Sequence, residues 1–259
     1  MVTSGDRWSA ASGADATKGL FVRELEEALL DGRADLAVHS AKDLPGELPG
    51  GLAILAMPER EDPRDVLIGP TGGLGALPLG AMVGTGSPRR AAQLRLIRPD
   101  VTFADIRGNV GTRLEKLARG EADALVLAAA GLARLGLAPA GLSPLEVADS
   151  VPAPGQGALA LEGRVDRPDL AACLADLDDP ATSAAVRAER AVLAGLGGGC
   201  REPVGALGAV AGETLRVVAF AASADGATAV RDELTGPAAD PEALGRRLAD
   251  LIGARLAGE

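Results

Sequence analysis

Apolar positions along this chain change their period several times, and each change predicts an element. Over residues 21–31, Phe21, Val22, Leu25, Ala28 and Leu29 recur at helical spacing, and Gly32 follows as a stop. Leu36-Ala37-Val38 reads as a short buried strand and residues 52–57 as a second. A run of alternating units comes next. Residues 82–84, 101–106 and 124–127 read as strands, residues 88–97 and 110–119 as helices, and a further helical stretch starts at 131–135. Strands alternating with helices predict parallel sheets with crossover helices.

From Pro180 the grammar is different. A helix over 182–196 leads into the glycine loop Gly197-Gly198-Gly199, two alternating strands follow at 204–210 and 215–222, and a helix closes the chain over 241–256. This predicts a small α+β unit. Two segments carry no period. Residues 59–65 are almost all charged and read as a crossing segment able to hinge, and residues 151–157, rich in Pro and Gly, read as the crossing back between lobes. At the N-terminus, Val2-Thr3 reads as the end of a strand with no βα unit before it.

Composition narrows the function classes. Hydrophobic residues make up 47% of the 259 and charged residues 24%, enough apolar material for a sizeable core. Aromatics are 2% with no Tyr, which leaves little to stack on nucleic-acid bases. A formal net charge of -10 repels phosphate backbones and anionic membranes unless the basic residues cluster. They do, at Arg89/Arg90 and at Arg107/Arg113, which suits a small anion better than a polymer. Two cysteines, Cys173 and Cys200, are too few for a disulfide framework or a zinc site. With no signal peptide and no apolar run of spanning length, the cytoplasm is the expected compartment.

Four stretches carry candidate chemistry. His39-Ser40-Ala41-Lys42-Asp43 follows a strand at the end where open α/β sheets place ligands. Its Asp43 suits a cation-like intermediate and its Lys42 an acid group; the bland alternative is a solvated loop with an incidental ion pair. His39, the only histidine, is expected to be packed or hydrogen-bonded rather than a proton carrier. In Gly84-Thr85-Gly86-Ser87-Pro88-Arg89-Arg90, a Ser cap, a Pro at the first helical position and two guanidiniums coincide at a helix start, where free N–H groups attract anions. Arg107-Gly108-Asn109-Val110-Gly111-Thr112-Arg113 repeats the theme one βα unit later, with surface charge as its alternative. In Gly197-Gly198-Gly199-Cys200-Arg201, glycines let the backbone approach something bulky, and a neighbouring Arg favours a thiolate. Burial as a small hydrophobe is the alternative there and the expectation for Cys173.

Together these stretches resemble the porphobilinogen deaminase (hydroxymethylbilane synthase) family. The resemblance runs in family order from Thr3 to about Val204 and more loosely beyond. It includes Lys18-Gly19-Leu20-Phe21, the 60–65 run Arg-Glu-Asp-Pro-Arg-Asp, the 130–135 run Ala-Gly-Leu-Ala-Arg-Leu, Gly155-Gln156-Gly157-Ala158-Leu159 and Ala188-Glu189-Arg190. It implies an α/β fold of two periplasmic-binding-protein-like lobes with a cleft, plus a small α+β C-terminal domain. Residues 1–57 with 158–176 would form the first lobe, 63–151 the second and 180–259 the third domain.

By the same resemblance, a dipyrromethane cofactor is held by Cys200 through a thioether, contacted by Lys42, Ser87, Arg89 and Arg90. Lys18, Arg107, Arg113 and Arg134 bind the acid arms of the substrate porphobilinogen, Asp43 is catalytic, and no metal, nucleic acid or membrane partner is involved in a monomer. The family's opening strand and helix, bearing an Arg and a Ser for cofactor and substrate acids, have no counterpart here. Gly86-Ser87-Pro88 replaces the usual Ser-Ser-Leu, with loss of one hydroxyl, and Ala41 stands where Met is common. Two other classes stay open on the residues: a truncated inactive relative, and a non-catalytic two-lobed small-anion binding protein.

Overall fold

The computed structural model describes residues 14–197, 203–223 and 226–258, with side chains from Val22 onward. The expected strand end at Val2-Thr3, the cysteine Cys200 and the side chain of Lys18 lie outside the described residues. Three sheets organise the rest.

The first sheet contains β1 (Ala37–Ser40), β2 (Leu52–Ala56) and β8 (Leu159–Arg164), in the order β1-β8-β2. Helix α1 (Ala14–Leu30) packs on it through Val22, Ala28 and Leu29, all buried. The expectation of parallel pairing fails here, because β8 is antiparallel to both neighbours. Its residues return from more than 100 positions further along the chain and slot between β1 and β2, two strands consecutive in the sequence.

The second sheet has the order β5-β4-β6-β3-β7. Its parallel part, β4 (Met82–Gly84), β5 (Thr102–Ala104) and β6 (Ala124–Ala128), is built from crossovers through α2 (Pro88–Ile97) and α3 (Val110–Ala118), as the alternation predicts. Antiparallel β3 (Asp65–Ile68) lies between β6 and β7 (Leu142–Pro144) and is buried along its whole length. Both faces of this sheet carry apolar clusters, one around Val83, Leu94 and Val126 and the other around Ile106, Leu125 and Leu132. Each such fully buried side chain contributes about 1.5–3 kcal/mol. Helix α4 (Ala129–Arg134) follows β6 directly.

The third sheet is antiparallel, β11-β10-β9, formed by β9 (Val204–Ala211), β10 (Thr214–Ala222) and β11 (Ala229–Pro237). Helix α5 (Pro168–Leu174) links the first sheet to this region. Helices α6 (Pro180–Gly195) and α7 (Pro241–Ala257) cover one face of the third sheet through Val192, Leu215, Leu248 and Ile252. Cys173, expected to be buried, is exposed on α5. Among the described residues no helix is long and apolar enough to cross a membrane.

The two crossing segments lie against each other. Gly157 has a φ of +88°, and a Cβ there would come within 2.4 Å of the Glu61 carbonyl oxygen. Only glycine permits that approach. Glu189 of α6, fully buried, ties both segments to the third sheet. Its carboxylate takes Arg60 at 2.5 and 3.0 Å, the Gly155 N–H at 2.6 Å and the Gly208 N–H at 2.8 Å.

Candidate active site

The site assembles where strand ends of the first two sheets meet the crossing segments. Strand β1 runs directly into a 3-10 turn, Ala41–Asp43, which presents Lys42 and Asp43 half-exposed while Ala41 and Leu44 anchor it in the core. Gly155, with a φ of +74°, packs on the backbone of that turn, where a Cβ would meet Ala41 and Lys42 at 2.9–3.0 Å. The second crossing segment is therefore seated on the turn that carries Asp43.

Helix α2 starts as expected. The Ser87 side chain accepts from the Arg90 N–H at 3.5 Å, and Pro88 opens the first turn. Gly86 allows close approach to the end of β5, since a Cβ there would come within 2.8 Å of Asp105 and 3.6 Å of Arg107. Asn109 caps α3 by accepting from the Thr112 N–H at 2.8 Å, and Arg113 donates Nε–H to the Gly108 carbonyl at 2.7 Å. Arg107 is held by Asp105 at 2.8 Å. Arg134, at the end of α4, donates to the Gly157 carbonyl at 2.7 Å, which brings it beside the second crossing segment. Lys42, Asp43, Ser87 and Arg107 thus follow strand carboxyl ends, the side of an open α/β sheet that receives ligands, and Arg134 reaches the second crossing segment from the end of α4.

Arg89 and Arg90 lie deeper than their expected role suggests. Both are buried around Asp65, the first residue of β3, whose side chain is fully enclosed. Arg89 donates to Asp65 Oδ2 at 2.7 Å and to the Val151 carbonyl at 2.6 Å. Arg90 donates to Asp65 Oδ1 through Nε at 2.9 Å and Nη2 at 2.7 Å, and to the Val126 carbonyl at 2.9 Å. Ser150 adds a hydroxyl bond to Asp65 Oδ2 at 2.8 Å. Burial alone would raise the Asp65 carboxyl, but the Arg89 and Arg90 guanidiniums outweigh it and hold it well below the usual carboxylate range. The Arg89 guanidinium is pushed down by burial, with Asp65 opposing. Two cations sharing one carboxylate leave the cluster with one net positive charge, so it still attracts an acid even though most donor hydrogens are engaged.

Gln156 joins this cluster to the Asp43 turn. It is 1% exposed; its Nε2 donates to the Pro63 carbonyl at 2.7 Å and to Asp65 Oδ1 at 2.9 Å, and its Oε1 accepts from Lys42 Nζ at 3.3 Å and Arg90 Nη2 at 3.5 Å.

Beneath the turn, His39 is buried as expected, with Nε2 2.8 Å from Glu162 Oε2 on β8. Glu26 of α1 is buried nearby. Loss of solvent first, and the Glu162 charge second, raise its carboxyl, with His39 opposing.

Comparisons with known proteins decide the family. The model described as "Porphobilinogen deaminase, dipyromethane cofactor binding domain" matches residues 1–172, and the one described as "Porphobilinogen deaminase, C-terminal domain" matches residues 183–254. The chain belongs to the porphobilinogen deaminase family. A porphobilinogen deaminase of Acidothermus cellulolyticus is 55% identical over 92% of this chain and 73% of its own length. One of Roseiflexus castenholzii is 53% identical over 90% and 77%. Among solved structures, the Bordetella pertussis BvgS periplasmic VFT2 domain covers 59% of this chain and 64% of its own at 23% identity and a TM-score of 0.34, too low to bear on the site.

Two residues of this candidate site, Asp65 and Gln156, lie in family-like runs of the sequence but carry no expected role there. Asp65 was absorbed into a charged crossing segment, although the apolar run Val66-Leu67-Ile68 directly after it signals a buried strand. Gln156 stands in the family-like run Gly155-Gln156-Gly157-Ala158-Leu159, where nothing marks its side chain out from its neighbours. The two glycines flanking it, each forced by close backbone approach, were the available signal that its side chain is held in place.

Proposed function

We propose that the chain is a transferase that condenses four porphobilinogen molecules head to tail, releases one ammonia for each, and yields hydroxymethylbilane for tetrapyrrole and haem biosynthesis. The supporting observation is the junction itself: Lys42 and Asp43 from the first sheet, linked through Gln156 to the Arg89–Asp65–Arg90 cluster of the second, in a member of this family. The donor set suits a polyacid, because every pyrrole ring brings acetate and propionate arms. Lys42, Ser87, Arg89, Arg90 and Cys200 are the proposed cofactor residues, and Lys18, Arg107, Arg113 and Arg134 the proposed substrate residues. Bound through Cys200, dipyrromethane would supply the terminal pyrrole that receives the first of the four rings.

The chain's own residues account for the rest. As ammonia leaves porphobilinogen, the aminomethyl C–N bond breaks with its electron pair on nitrogen, and the ring is left electron-deficient. The Asp43 carboxylate opposes that charge and accepts the pyrrole N–H. When the new C–C bond forms, the displaced ring proton is lost, and Asp43 is positioned to take it. Guanidinium and ammonium groups hold the acid arms while the chain lengthens. Water ends the sequence by releasing the four-ring product.

In this reading the three sheets are the cores of three domains, 1–57 with 158–176, 63–151 and 180–259, in a monomeric cytoplasmic enzyme. Incubating the purified chain with porphobilinogen should release four ammonia molecules per hydroxymethylbilane formed, measured by ammonia assay and by absorbance of the cyclised, oxidised product. Tight porphobilinogen binding without ammonia release would replace this reading with the non-catalytic binding protein.

A further inference from the structure

We infer that Gln156 is a positioning residue of this reaction, acting through Lys42 and resting on the function proposed above. Its side-chain orientation is dictated by its partners. The Pro63 carbonyl and the Asp65 carboxylate only accept, so the NH2 end must face them. Lys42 and Arg90 only donate, so the oxygen faces those two cations. The bonds at the nitrogen end, 2.7 and 2.9 Å, are shorter than those at the oxygen end, 3.3 and 3.5 Å. The amide is therefore set by the second sheet and offers Lys42 a fixed acceptor.

The backbone of Gln156 is equally constrained. Its carbonyl accepts Arg60 Nε–H at 2.8 Å, and Gly155 and Gly157 on either side press against the Ala41–Lys42 and Glu61–Pro63 backbones. A side chain so held is a rigid reference between the lobes. Lys42 hangs on a flexible four-carbon stem, and the Gln156 oxygen is one of the groups that give its ammonium a direction. Gln156 thus aims the Lys42 charge beside Asp43, and does so in register with the Asp65–Arg90 pair.

Gln156→Met keeps the size and removes both ends of the amide. Asp65 retains Arg89, Arg90 and Ser150, so the fold should survive. The expected result is a loss of kcat of about tenfold or more with little change in KM, since a misplaced group costs rate. In a Lys42→Met background the same substitution should add almost nothing, because residues acting through one contact are not additive. An independent readout needs no turnover. The Gln156 side-chain NH2 cross-peak in a 15N–1H spectrum should shift on Lys42→Met and stay in place on Arg113→Lys.

Additive losses in the double variant, or an unmoved cross-peak on Lys42→Met, would overturn the inference and leave Gln156 a structural residue seen only in thermal stability. Should Gln156→Met fail to fold, the cross-peak decides alone. A wild-type chain without turnover would instead defeat the functional reading, and the positioning role with it.

Discussion

Asp65→Asn is expected to destabilise the protein by about 3–5 kcal/mol, the cost of leaving buried cations without their counter-charge. Asp65 is fully buried and receives Arg89, Arg90, Ser150 and Gln156 at once. An amide in its place presents one oxygen where two are used and turns donor hydrogens towards guanidiniums. Urea unfolding should show the loss as a lower midpoint with an unchanged slope. The pH dependence follows from the sign of the shift. Asp65 is held well below its ordinary range, so its contribution is complete above the unfolded-state value of about 3.9 and is lost as pH falls through the lower folded value. The gap between wild type and variant should stay constant from neutrality to about pH 4 and close only in stronger acid. Glu121→Gln is the control. That carboxylate also bonds an arginine, Arg119, but both side chains are exposed, solvent screens the pair, and its loss should barely register. Equal effects at the two sites would refute the buried-cluster account.

Asp43→Ala should give the opposite pattern: near-normal stability and turnover reduced by about three orders of magnitude, the scale of losing a preorganised charge at a developing cation. Asp43 sits half-exposed on a turn whose hold on the core comes from Ala41 and Leu44, so truncating it opens no cavity. Asp43→Asn, which keeps the shape and removes the charge, should be nearly as impaired. Porphobilinogen consumption under single-turnover conditions measures both variants. Turnover within a few-fold of wild type would remove Asp43 from the chemistry.

Much of this was legible in the sequence. The β4-α2-β5-α3-β6 run was readable because each unit is local: a short apolar strand, a capped helix, then the next strand. Ser87 and Asn109 cap the helices they were expected to cap. What escaped depends on partners distant along the chain. The pairing of β8 between β1 and β2 spans more than 100 residues, and nothing in either stretch specifies the other. Strand β11 escaped because it is an edge strand in which exposed and only partly buried positions alternate; its Asp232 and Glu233 pair with Arg255 and Arg216, and Val230 and Leu234 supply only partly buried apolar surface. In the site, clustering of Arg89 and Arg90 was visible, but their joint use of Asp65 was not. A charged residue in a charged run reads as solvated until the fold encloses it. Lys42 and Asp43 could be singled out because they follow a recognisable strand; Gln156 could not, because no local pattern announces its four contacts with Lys42, Pro63, Asp65 and Arg90.

Growth of a polyacid on Cys200, gripped by the basic groups at the junction of the first two sheets, is tested most directly by the intact mass of the purified chain. The expected spectrum shows the polypeptide plus two linked pyrroles in wild type and in Asp43→Asn once cofactor is supplied, and the bare polypeptide in Cys200→Ala. A wild-type chain that turns over porphobilinogen at its unmodified mass, or a Cys200→Ala chain that still carries the added mass, would contradict it.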